Sequence, residues 1–405
     1  MSDLKKRALN AINKPSPYGP DIDLTTYEYV KPKTTVKKDV EDVANEVGKR
    51  VGLEDVTLTS TYIQVDESII VKALVEKLRN YGVIVTTTGE ALEKIEWVKN
   101  YYWKMIDVDT DKYTAAVELY GHGQGYFIYV PPKTKIPFPI YACLFIASKG
   151  KAQLLHNIVI VDDEAELHLI TGCAVAYGVA NSLHVGVTEF YIGKNAKLSF
   201  AMLHAWSKGV HVRPRTAVHV NDGGEFISYY VLYSDVASLQ AYPKIILRNN
   251  AKTYTVSVIV GWGESNYDVG SKAILEGNNS RAEIMSRLIG SGKCTITSRA
   301  CIIGRGVGCK GHIECLGLPL SNEVTISTIP ELRIESNDAE LTHEAAIGRL
   351  SEEELYYLMS RGFTEDEAKS LIVRGFMTVE VPGIPPQTRI AIENITKLIA
   401  QKAIG

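Results

Sequence analysis

A weak repeat with a period of about 30 residues limits what this chain can fold into more than any other feature of its sequence. Turn-like clusters, each followed by a strand-like run, recur at Asp163-Glu-Ala165, Lys194-Asn-Ala196 and Asp222-Gly-Gly224. They continue at Asn249-Asn-Ala251, Asn278-Asn-Ser280 and Gly306-Val-Gly308. From Ala165 through Ala196, Gly224, Ala251 and Ser280 to Gly308, every interval stays close to that one period. Tight turns and short strands at one period point to a β-solenoid, in which each coil buries its apolar face only against its neighbours. A β-sandwich with evenly spaced hairpins is the competing architecture, but it rarely keeps one period over five intervals.

The text around the repeat divides the chain into three parts. Residues 1–104 are mixed and partly helical. Helix-like stretches run from Val36 to Val51, Glu67 to Tyr81 and Gly89 to Tyr101; the last spaces Leu92, Ile95 and Val98 at helical period. From 105 to 340, runs such as FIYV at 127–130 and IVIV at 158–161 alternate with Gly, Asn and Asp turns. From 341 to 405 helices return. Ser351-Glu-Glu-Glu354 and Thr364-Glu-Asp-Glu367 read as capping boxes, with Gly362 and Gly375 as stops and a last helix from Arg389 to Ala403. This small helical domain is expected to cap the end of the solenoid.

Composition excludes several classes. Lys plus Arg is 44 and Asp plus Glu is 47, so no bulk positive charge points to nucleic acid. Six cysteines in 405 residues are too sparse for a secreted disulfide framework, and no CxxC pair suggests a zinc ribbon. MSDLKKRALN lacks the apolar core of a signal peptide, and no apolar run is long enough to span a membrane. The expectation is a soluble, reduced, cytoplasmic protein. Gly306-Val-Gly-Cys-Lys-Gly311 fits GxGxxG, but strand-like text on both sides denies it the βαβ frame of a dinucleotide site. No Walker A sequence occurs, so the chain is not expected to hydrolyse ATP itself. The acidic run Asp162-Asp163-Glu164 could serve a polysaccharide enzyme, but a solvated turn accounts for it.

Cys315 and the pair His343-Glu344 carry more chemistry. The pair follows the cysteine at close to one period of the repeat, so stacked coils would bring them near one another. Thiolate, imidazole and carboxylate together suit iron or zinc; a buried structural cysteine beside an ordinary hydrogen-bonded pair is the alternative.

Here the residues resemble a known family. HEAAIGRLSEEELYYLMSRGFTEDEAKSLIVRGFM, 343–377, is similar to the C-terminal signature of the SufB/SufD proteins. GYFIYVPP at 125–132 and ITGCAVAYGVANSLH at 170–184 are similar to two further family segments. The resemblance covers about residue 120 to the C-terminus. It implies a mainly β fold, a right-handed parallel β-helix core with N- and C-terminal helical regions. It implies a scaffold of the SUF system on which iron–sulfur clusters are transiently assembled, with no enzymatic activity of its own. The implied partners are a SufC-type ABC ATPase docked on the C-terminal helices, a cysteine desulfurase system as sulfur donor, and a second SufB- or SufD-type subunit. The second subunit pairs through the β-helix, as a homodimer or heterodimer.

Residue by residue, Cys315 in HIECLGLPLS falls where SufB has its cluster-assembly cysteine, and Glu344 matches the SufB glutamate beside His343. The resemblance therefore implies Cys315, Glu344 and His343 as cluster ligands, and a chain more like SufB than SufD. Leu316 replaces the usual Asp, and Val220 or a neighbour stands where SufB has an upstream sulfur-accepting cysteine. The rival reading is a SufD-like structural partner that ligates nothing. Some complexes of the family carry a reduced flavin; no motif here supports or excludes it. Cys173 has a family counterpart, while Cys294, Cys301 and Cys309 are assigned to packing.

Overall fold

A computed structural model describes residues 2–29, 31, 39–53, 61–66, 68–71, 78–384 and 386–402. The repeat is a parallel β-solenoid of about eight turns, with helices at the chain ends. Each coil contributes to two facing sheets. The first sheet includes Lys151–Val161, Leu183–Ile192, Asn266–Leu275, Thr295–Gly304 and Thr325–Ile334. The second runs from Ile140–Ile146 through Glu166–Val175, Lys197–Ala205, Glu225–Tyr233 and Lys252–Gly261. It ends with Arg281–Gly290, Lys310–Pro319 and Glu340–Ile347. Among the described residues, antiparallel pairing occurs only near the start, at Tyr62–Val65 with Ser68–Val71 and Ile84–Thr87 with Tyr126–Val130. Ser68–Val71 corrects the expected Glu67–Tyr81 helix; residues 72–77 of that stretch lie outside the described residues.

The turns explain the period. Glu164, Asn195, Gly223, Asn250, Asn279 and Gly308 all have positive φ, the region where Asn and Gly cost least. Each amide from 164 to 279 donates to the next coil: Glu164 N–H to Lys194 O at 2.8 Å, Asn250 N–H to Asn278 O at 2.8 Å, Asn279 N–H to Val307 O at 2.9 Å. The residue that follows is small and buried, as at Ala196, Ala251, Ser280 and Cys309. The sixth turn is thus Val307-Gly308-Cys309, one position later than the sequence grouping placed it.

Side chains alternate between a largely apolar lumen and two outer faces. Helices Asp3–Ala11 and Lys112–Tyr120 cover part of the first sheet's outer face, burying Ala8, Ala116 and Val117 with Leu154 and Val185. On the second sheet's outer face, helix Asp39–Lys49 buries Ala44 and Val47. Helices Glu365–Met377 and Pro386–Lys402 lie on that face too, placing Val373, Met377, Ile395 and Ile399 in one cluster with Ala201, Ile227 and Val256. The C-terminal helices therefore do not cap the solenoid. Their apolar stripe finds the sheet face, and among the described residues the last strands, Thr325–Ile334 and Glu340–Ile347, keep one free edge each. Strand Glu340–Ile347 also carries the solenoid past the expected boundary at 340. Ser351 and Thr364 do cap their helices, and Thr364 with Glu367 forms the full reciprocal box.

Close packing of coils sets one prediction. A Cβ on Gly270 would lie 1.6 Å from Arg299 O, its in-register neighbour. Gly270→Ala is expected to cost about 1–3 kcal/mol by forcing the two strands apart, read as a lower urea midpoint. Gly375→Ala, with nothing within 4 Å of its Cβ, is expected to leave the midpoint unchanged or raise it.

Candidate functional site

Cys315 sits on Lys310–Pro319, the penultimate strand of the second sheet. Gly311, Ile313 and Cys315 are buried while His312, Glu314 and Leu316 are not, so the cysteine points into the lumen. The last strand sets the geometry of the other two residues. Cys315 is in register with Ala345, Ile313 with His343, and Glu314 with Glu344. In-register neighbours of a parallel sheet share a face. His343 therefore lies on the lumen side with Cys315, about 8 Å away at Cα from a rung spacing near 4.8 Å and a two-residue offset. Glu344 lies on the opposite, outer side beside Glu314. The structure brings Cys315 and His343 together and separates Glu344 from them. Among the described residues no three His, Cys, Asp or Glu side chains converge to hold a metal ion.

Cys315 belongs to the apolar lumen cluster, which among the described residues is open at this end. Cys315 is fully buried, whereas His343 and Glu344 are exposed on the terminal strand. Ile334 and Ile347, at the ends of the last two strands, are 57% and 47% exposed. Burial pushes the Cys315 thiol up, opposed by hydrogen bonds from Ser298 and Ser286. Ser286 is the in-register neighbour of Cys315 on the preceding coil. On the outer face, Arg287 pairs with Glu314 beneath Glu344. Sequence reading missed Ser286, Ser298 and Arg287. Counting one period toward the N-terminus from Cys315 would have found Ser286.

The other cysteines are buried and free. Cys173, Cys294 and Cys309 fill the lumen, Cys143 lies under helix Asp39–Lys49, and Cys301 packs with Ile274 and Ile303 on the first sheet's outer face. Strands Thr295–Gly304 and Lys310–Pro319 flank the GxGxxG text, so it is a solenoid turn. Among the described residues no helix is long and apolar enough to cross a membrane. Tyr356 and Tyr357 of helix Glu352–Ser360, and Phe363 in the turn after it, project into solvent, Tyr356 at 64% exposure.

A parallel β-solenoid with helices at the chain ends is the fold class that the sequence resemblance implies, and comparison with known proteins shows the family. The chain belongs to the SufBD family: the SUF system FeS cluster assembly, SufBD core domain, matches residues 144–376. It is 42% identical over 400 residues to the iron–sulfur cluster assembly SufBD family protein of Methanothermobacter thermautotrophicus strain Delta H, covering 96% of each chain. It is 45% identical over 317 residues to the Archaeoglobus fulgidus SufBD family protein, covering 78% of this chain and 85% of that one. The iron–sulfur cluster assembly protein SufB of Bacillus subtilis strain 168 is 28% identical over 424 residues, covering 100% of this chain and 90% of the relative.

Proposed function

We propose that this protein is the scaffold on which the SUF system builds a nascent iron–sulfur cluster, with Cys315 as its thiolate anchor. One observation carries the reading: the Cys315 thiol lies one rung inside a solenoid end that no described residue caps, with His343 on the same face of the next rung. The cluster is cargo. Thiolate with nitrogen or oxygen ligands holds iron less firmly than four thiolates, which suits a site that hands its cluster on. One chain offers too few ligands on the lumen side, so a second copy or a sister subunit at the open end completes the set. Glu344 faces outward within its own chain and serves across that interface. An ABC-type ATPase docks on the exposed aromatic surface of the C-terminal helices and gates the interface by moving it.

Val220 or a neighbour, in place of the upstream cysteine, favours the second reading, a SufD-like partner that ligates nothing. Anaerobic reconstitution with the ATPase, iron and sulfide separates the two. The scaffold reading expects a cluster by absorption and Mössbauer spectra in the wild type and none in Cys315→Ala. Equal cluster in both would reject Cys315, and no cluster in either would favour the SufD-like role.

A further inference from the structure

Where the C-terminal helices meet the second sheet, a cleft of about 670 Å³ opens between helices Glu365–Met377 and Pro386–Lys402 and the 378–384 segment between them. Its buried lining is Tyr229 of the sheet with Val381 and Ile392, none more than 8% exposed. Its exposed lining is charged: Arg374, Arg389 and Lys397 against Glu380 and Glu393. Three cations against two acids leave the cleft positive, on a chain whose formal net charge is −3.

These charges do not neutralise one another. Arg389, Glu393 and Lys397 follow at four-residue spacing, which places them on one helix face where ion pairs commonly form. Glu365 and Lys369, at the same spacing on the preceding helix, do pair, at 2.5 Å. None of the five cleft side chains makes an ion pair or hydrogen bond to a described residue. The wall that carries Glu380 is fixed. Thr378 Oγ1 donates to Arg374 O at 2.9 Å. Gly383, at a φ of 80°, approaches the sheet so closely that a Cβ there would lie 2.7 Å from Lys197 Nζ. The cleft is therefore formed before any ligand arrives.

We infer that this cleft binds an organic phosphate whose body carries hydrogen-bond donors. The guanidinium forks of Arg374 and Arg389 match phosphate oxygens in pairs, and Lys397 adds a point charge. Bare phosphate would bring its charge beside Glu380 and Glu393 as well. A body with hydroxyl or amino groups turns those two carboxylates into acceptors, and an apolar ring on it covers Tyr229 and Ile392. The volume falls in the range of small-molecule sites. None of Cys315, His343 and Glu344 lines the cleft, so the inference stands apart from the scaffold reading.

Calorimetric titration of the full-length chain tests it, without the ATPase so that no nucleotide site of the partner contributes. Adenosine monophosphate is expected to bind with a dissociation constant at or below about 1 mM, and inorganic phosphate at least about 10-fold more weakly. Arg374→Gln/Arg389→Gln should weaken adenosine monophosphate on the order of 100-fold, because each charge-assisted contact contributes about 10-fold. Both arginines are exposed, so the urea midpoint should not move. Arg281→Gln removes an exposed arginine outside the cleft and should leave binding unchanged. A ribose monophosphate separates the two sources of this chemistry. Affinity equal to that of adenosine monophosphate supports the inference with sugar phosphates as the ligand class, and lower affinity supports it with a ring-bearing phosphate. No binding of either organic phosphate up to about 10 mM overturns the inference. Binding that the double variant leaves unchanged overturns it too, as does inorganic phosphate binding as tightly as both.

Discussion

Aspartate at both Ile334 and Ile347 is expected to leave the chain folded, monomeric and unable to build a cluster. Both side chains are about half exposed at the ends of the last strands. Partly buried Ile326, Leu332 and Leu341 continue the apolar surface behind them. Among the described residues each of the two strands also presents a free edge of backbone donors and acceptors, which invites pairing with another chain. If a second subunit covers this end, each isoleucine contributes about 1.5–3 kcal/mol on burial. Replacing both by unpaired carboxylates loses that and adds a desolvation cost. Association should weaken by roughly 100-fold or more. The monomer's own melting should hardly change, because exposed positions contribute little to it. Sedimentation of the variant, alone and coexpressed with a sister subunit, measures the first expectation. Reconstitution measures the second. Undiminished association would place the partner elsewhere on the molecule.

The site was half legible in the sequence, and the reason is arithmetic. A solenoid coil has no fixed length, because its turns differ by a residue or two. The coil from Cys315 to its in-register neighbour Ala345 is one position longer than the coil from Ser286 to Cys315. His343 stands two positions before Ala345 and so shares the lumen face, while Glu344 stands one position before it and is flipped to the outside. Spacing near one period could announce proximity, while only the register could announce the face. The same uncertainty of one position shifted the sixth turn from Gly306-Val-Gly308 to Val307-Gly308-Cys309. At Ser68–Val71, Ile69, Ile70 and Val71 favour a strand over the helix expected from Glu67 to Tyr81. The caps at Ser351 and Thr364 were readable because capping is local. Where those helices dock was not, because an apolar stripe does not say which apolar surface will cover it.

Loss of the Glu189 charge is expected to be the most damaging single change to stability, and it acts far from the cysteine. Glu189 is fully buried on the first sheet's outer face. Its carboxylate accepts the backbone N–H groups of Trp103 at 2.9 Å, Lys104 at 2.9 Å, Met105 at 2.6 Å and Ile106 at 3.2 Å. His156 Nε2 lies 2.9 Å away, its ring packed against Tyr102 and Trp103. One carboxylate thus pins the 103–106 turn, in which Trp103 adopts a φ of 54°, onto the solenoid. Glu189→Gln keeps the shape, but its amide turns two donors toward groups that are themselves donors. Breaking a buried pair in this way costs about 3–5 kcal/mol. The acid response follows from the same contacts. Burial pushes the Glu189 carboxyl up, but the His156 hydrogen bond and charge and the Met105 and Ile106 amides outweigh it, so its pKa is held below the ordinary value. A lowered carboxyl pKa adds stability that is present above the unfolded-state pKa and is lost as pH falls through the folded one. Urea midpoints across the acid range should fall more steeply for wild type than for Glu189→Gln. Amide exchange at 103–106 should be faster in the variant. Parallel slopes would assign the acid sensitivity to other carboxyls. At neutral pH, where the variant is still folded, its cluster yield should equal wild type, because the pinned turn contributes nothing to the lumen around Cys315.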